Sequence, residues 1–134
     1  MIGIDPGVIT GIGYFNNQGG KSCFSTKIHR AMDWVKEQHK NYDKIFIRVE
    51  DARQRKWFGS NSYSKSQGAG SIKRDCKIWE DFLIDNNIPH EMIHPVKGGT
   101  KIDAKLFTSI TKIQTRTNEH ARDAYMLIHG IRMK

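Results

Sequence analysis

Three carboxylates and one histidine stand where their types and spacing permit joint chemistry. Asp5 closes the apolar opening Ile2-Gly3-Ile4 and precedes Pro6-Gly7, Glu50 closes an alternating apolar run, and His120 and Asp123 lie three residues apart near the end of the chain. Side chains three apart on a helix share a face, so two strand-end acids and one helical pair can converge. Carboxylates gathered in a low-dielectric cleft repel one another, and a divalent cation is the common compensation. Oxygen donors favour Mg²⁺ or Mn²⁺, whereas zinc asks for cysteine and histidine clusters that Cys23 and Cys76 do not provide. Two such ions side by side can activate water and stabilise the leaving oxygen in phosphodiester hydrolysis. Each residue also has a plainer use. An Asp before Pro-Gly forms a turn through backbone amides, Glu50 can end a solvated strand, His120 can cap a first helical turn, and Asp123 complements the helix dipole. Asp51 should face away from Glu50 by strand alternation and is read as structural.

These residues need elements to carry them. Residues 1–5 read as a strand that Pro6-Gly7 turns, followed by strands at about Thr10 to Phe15 and Lys21 to Thr26 around the loop Asn16 to Gly20. Helical spacing of Ala31, Met32, Trp34 and Val35 predicts a crossover helix over about Arg30 to His39, and alternation predicts a strand from Lys44 to Glu50. A Gly-, Ser- and Asn-rich basic stretch from Arg53 to Gly70 reads as a loop opening into a helix near Gln67. That helix runs to about Asn86, with Ile72, Cys76, Trp79, Phe82 and Leu83 inward. A strand over Glu91 to His94 follows, then a helix opened by a capping box at Thr100 to Asp103 and running to about Ile113. Thr117-Asn118 is expected to cap a last helix from Glu119 to about Met133, with Ala121, Ala124, Tyr125, Ile128 and Ile131 as its apolar set. The order of strands and helices implies an α/β layered domain.

The chain has 134 residues, one domain over 1–134 by the length prior, and 22 Lys and Arg against 14 Asp and Glu give a formal charge of +8. A pI near 9.6 points to a polyanionic partner. No apolar run approaches a membrane span, and two cysteines exclude a disulfide framework, so a cytoplasmic, reducing location is expected. Charge by itself does not separate a nuclease from a passive binder.

The opening Ile2-Gly3-Ile4-Asp5-Pro6-Gly7 with Thr10-Gly11, the strand ending Arg48-Val49-Glu50, and Asn118-Glu119-His120-Ala121-Arg122-Asp123-Ala124 together resemble the RuvC-like Holliday junction resolvases of the ribonuclease H-like superfamily. The likeness covers nearly the whole chain, and its length suits a compact viral form. The resemblance implies a five-stranded mixed sheet flanked by helices, a homodimer, and Mg²⁺-dependent nicking of four-way DNA junctions, with Mn²⁺ able to substitute. By the same resemblance Asp5 bridges two ions, Asp123 with His120 completes the water-activating site, and Glu50 completes the leaving-group site. The family carries either Asp or His at the position of His120, which leaves open whether His120 binds metal or handles a proton.

For DNA contact, Arg53, Arg55 and Lys56 precede Trp57-Phe58, combining phosphate-directed charge with stacking surface. The alternative is that at least one of these rings packs on the protein's own core. Gly68 and Gly70 would allow close helix packing at a dimer interface. Lys97 and Lys101 flank Gly98-Gly99 at a helix mouth, where free amides also attract phosphate. Two other functions fit the same features: a related nuclease acting on flaps, forks or RNA–DNA hybrids, and a basic junction-binding protein without catalysis.

Overall fold

The computed structural model describes residues 1–54, 62–95 and 102–132, with 62–69 as backbone. Strands β1 (Ile2–Asp5), β2 (Ile9–Phe15) and β3 (Lys21–Lys27) form an antiparallel meander. Helix α1 (Ile28–Asn41) crosses over to β4 (Ile47–Glu50), which lies parallel to β1. A short 3-10 turn (Ala52–Gln54) and helix α2 (Ser62–Asp85) lead to β5 (His90–Ile93), parallel to β4. Helices α3 (Ala104–Thr111) and α4 (Glu119–Met126) complete the order. The sheet runs β3-β2-β1-β4-β5, so the protein is an α/β fold with a five-stranded mixed sheet flanked by helices.

Strand alternation divides the sheet into two different faces. Ile2, Ile4, Ile12, Ile47 and Val49 pack against Ala31 and Val35 of α1 and Trp79 and Leu83 of α2. The other face meets α3 and α4 through Cys23, Phe107, Ala121, Tyr125 and Ile128. Both cysteines are buried free thiols, and burial pushes the Cys23 thiol up to about 11.

Element boundaries depart from the sequence expectation where local capping decides. Asp103 is itself the cap of α3, its Oδ1 accepting from Leu106 N at 2.8 Å, so it precedes the helix rather than sitting inside a first turn opened by Thr100. Lys112, with φ of 65°, ends that helix. Helix α4 stops at Met126 rather than Met133, and the chain turns before Gly130 at φ 80°, which leaves Ile131 exposed instead of inward. Helix α2 starts earlier than Gln67, and Ile72 is exposed, while Cys76, Trp79 and Leu83 are buried as the spacing requires. Its end before Asn87, at φ 54°, matches the Asn86-Asn87 stop. Among the described residues, an added Cβ at Gly70 would meet nothing within 4 Å.

Candidate active site

Sheet register brings the two strand-end acids together. Ile4 is aligned with Val49 in the parallel β1–β4 pair, so the next residues, Asp5 and Glu50, leave the sheet side by side on one face. The antiparallel partner of Asp5 is Gly11. The face they share is the one that α4 covers, because Gly3, Gly11 and Gly13 on it all abut that helix.

These glycines are what allow α4 to deliver its residues. A Cβ at Gly11 would lie 2.0 Å from the His120 carbonyl oxygen, at Gly3 it would lie 2.1 Å from that of Ala124, and at Gly13 2.4 Å from Tyr125 Cα. Helix backbone therefore rests directly on strand backbone. Asn118 fixes the other coordinate of the helix: its Oδ1 accepts from Ala121 N at 2.9 Å while its Nδ2 donates to Ser25 Oγ on β3. Further along, Arg48 Nη1 donates to the Leu127 carbonyl at 3.0 Å and its Nε stands 2.9 Å from Glu91 Oε1. Arg122 ties the start of α4 to the chain before it through the Thr117 and Ile102 carbonyls, both at 3.2 Å.

His120 Nδ1 then stands 3.4 Å from Asp5 Oδ2, with the Asp5 side chain 18% exposed and that of His120 53% exposed. The Asp5 carboxyl is pushed up to about 7, first by burial, then by the Glu50 and Asp123 carboxylates, against the lowering effect of His120. Glu50, Asp123 and His120 thus all act electrostatically on Asp5 at one end of the sheet. Among the described residues no group of three or more His, Cys, Asp and Glu side chains is drawn close enough to hold a metal ion as it stands. The set is convergent rather than closed. Its chemistry nonetheless suits a hard divalent cation, because such a charge would relieve the mutual repulsion of the carboxylates.

Of the predicted DNA contacts, Arg53 is among the described residues. Arg53 points into the protein, where Asp51 and Glu80 accept from its guanidinium. Arg55, Lys56, Trp57, Phe58, Lys97 and Lys101 lie outside the described residues, as does the Gly98-Gly99 turn. Two cavities, of about 340 and 590 Å³, both include Met1 and Ile45 in their lining and so lie at the end of the sheet opposite Asp5 and Glu50.

A scan against protein-family models and a search of curated proteins found no match.

Sequence reasoning had not assigned a positioning role to Gly13, Ser25 or Arg48. The first had a readable signal: Gly11 and Gly13 at a spacing of two, beside Gly3, leave a strip of sheet without side chains. Ser25 and Arg48 had none, since their partners are 93 and 79 residues away in sequence.

Proposed function

We propose that this chain is a metal-dependent endonuclease related to the RuvC-like resolvases, with a ribonuclease H-like fold, that resolves four-way DNA junctions by paired nicks. The observation that carries the reading is the burial of Asp5 beside the Glu50 and Asp123 carboxylates, which together push its carboxyl up to about 7 in a chain with a net charge of +8. A folded protein retains such mutual repulsion at a cost to its stability, and sites that bind cations or move protons are where it is commonly found. The strand order β3-β2-β1-β4-β5 is compatible with the fold.

Mg²⁺, with Mn²⁺ as a substitute, would be held by Asp5, Glu50, Asp123 and His120. When bound, a pair of such ions supplies an activated water and neutralises the leaving oxygen. The remaining work belongs to the chain. Asp5 must lose its proton to act as a ligand, and His120 Nδ1, 3.4 Å from Asp5 Oδ2 and half in solvent, is placed to carry a proton between that carboxyl and water. The Asp5 side chain, only 18% exposed, is shielded from most of the bulk dielectric. Arg55, Lys56, Lys97 and Lys101 supply phosphate contacts, and Trp57 and Phe58 a stacking surface for unpaired bases. One acid cluster per chain cuts one strand, so cutting two strands of a junction calls for a homodimer.

The test is a comparison of labelled four-way junction, flap, fork and linear duplex with and without Mg²⁺ or Mn²⁺. Symmetric paired nicks in the junction are expected. Flap or fork removal would instead favour a broader branched-DNA nuclease, and binding without cutting under either ion would favour a passive junction binder.

A further inference from the structure

Glu50 is the last residue of β4, and a side chain at a strand end is only as fixed as the turn beyond it. Here the pairing continues for one more residue, Asp51 N donating to the Ile93 carbonyl at 2.7 Å, and the chain then enters the 3-10 turn. The Asp51 side chain is buried. Its carboxylate accepts from Arg53 Nε at 2.8 Å, Arg53 Nη2 at 2.9 Å, Arg53 N at 3.1 Å and Gln54 Nε2 at 3.3 Å. From the same guanidinium, Nη1 donates to Glu80 Oε1 on α2 at 3.1 Å. Gln54 Nε2 also donates to the Met92 carbonyl in β5 at 3.1 Å, and the Cys76 thiol of α2 lies 3.7 Å from the Glu50 carbonyl oxygen. Strand β5, helix α2 and the turn after β4 therefore close a network around the peptide that carries Glu50.

Stability is a weak reason for such a network. Asp51 is buried and Arg53 and Glu80 are partly so, and taking such charges out of water gives up hydration that an apolar replacement would not lose. What the network supplies is orientation, since a fork that donates two parallel bonds to one carboxylate fixes both planes, which a point charge does not. Nε, Nη1 and Nη2 of the same guanidinium each already donate to an acid of this chain, which a phosphate would have to displace.

We propose that Asp51, Arg53 and Glu80 are positioning residues that hold the end of β4 so that the Glu50 carboxylate stays on the Asp5 face, and that Arg53 serves this purpose rather than phosphate binding. The proposal rests on the nuclease reading above. It makes helix α2 and the acid cluster parts of one mechanical unit.

Two variants test it, with folding checked by near-UV circular dichroism and thermal melting. Arg53→Lys keeps the charge and loses the fork; Glu80→Gln leaves the Asp51–Arg53 pair intact and removes only the acid on α2. At saturating protein, single-turnover cleavage of a four-way junction should fall at least tenfold in Arg53→Lys and severalfold in Glu80→Gln. In both, the Mn²⁺ concentration for half-maximal rate should rise, while junction Kd and its salt dependence stay within twofold of wild type. If Arg53→Lys does not fold, Glu80→Gln carries the test through the same readouts. Unchanged rate and Mn²⁺ dependence in the folded variants would overturn the proposal. So would weaker binding with a flatter salt dependence and an unchanged saturating rate in an Arg53→Gln variant, the signature of a phosphate contact. A wild-type protein that cuts no branched DNA under either ion overturns the functional reading and this proposal with it, an outcome distinct from a wild type that cuts and variants that cut equally well.

Discussion

Asp5 is where the chemistry and the stability of this protein oppose each other. Its carboxyl is raised to about 7 in the folded chain, above the usual value of 3.8 that an unfolded chain keeps. The folded state therefore binds the extra proton between these values, and stability falls as pH rises from about 4 through about 7. Asn resembles the protonated acid, so in cation-free buffer Asp5→Asn should match wild type near pH 4 and gain stability with rising pH. By pH 8 the gain should reach about 2–4 kcal/mol, since each tenfold difference in proton affinity between folded and unfolded chain is worth roughly 1.4 kcal/mol. Thermal melts across pH 4–8 check this, and an advantage of wild type at pH 8 without cation would contradict it. Added Mn²⁺ should stabilise wild type more at pH 8 than at pH 5.5, because the ligand must first lose its proton, and should leave Asp5→Asn nearly unmoved. At this scale the sequence was informative about identity: the strand-end acids and the His120–Asp123 spacing marked the cluster that register then assembled. It read Arg53 as a phosphate-directed cation in a basic run and gave no sign of its acidic partner on α2. Only the fold brings Glu80 to it, 27 residues away in the chain.

Among the elements, α4 matters most, because its backbone sits on bare strand. Gly11→Ala would drive a Cβ into the His120 carbonyl, 2.0 Å away, so the helix or the strand must move. A loss of about 1–3 kcal/mol is expected from such overpacking, together with loss of cleavage even well below the melting temperature. Gly19→Ala, at a hairpin position with φ 84° and open space around it, should cost stability through backbone strain and leave cleavage intact when folded. Asn118→Ala removes both the cap and the link to Ser25, at about 1 kcal/mol for the cap alone. Denaturant melts with parallel cleavage assays distinguish these outcomes. Element types and order were legible from periodicity, and the Asn118 cap from its residue type. Ends were not: the Asp103 side chain caps α3, so that helix starts later than a capping box at Thr100 to Asp103 implies, and the chain turns before Gly130, so α4 stops sooner than the spacing of Ile128 and Ile131 implies.

Over the whole molecule, a charge of +8 coexists with an acid cluster that destabilises itself. Junction affinity should fall steeply with salt, and neutralising one of Lys56, Lys97 or Lys101 should reduce the logarithmic salt slope by about 0.9 for each lost phosphate contact. Neutral variants that leave the slope unchanged would remove that residue from the DNA interface. The layered α/β class was legible from the alternation of strand and helix patterns, whereas the mixed sheet was implied only by the family resemblance, and the alternation of isoleucine and glycine in the strands did not tell which helix covers the bare face. On the proposed function, the acids of this basic chain cut the DNA that its cations hold. The most direct measurement compares wild type with Asp5→Asn on a labelled four-way junction in Mg²⁺ and in Mn²⁺, following binding and cleavage in the same samples. Wild type should bind and make paired nicks, and Asp5→Asn should bind as tightly and make none. Equal cleavage by both proteins, or binding without cleavage by wild type in either ion, would contradict the account.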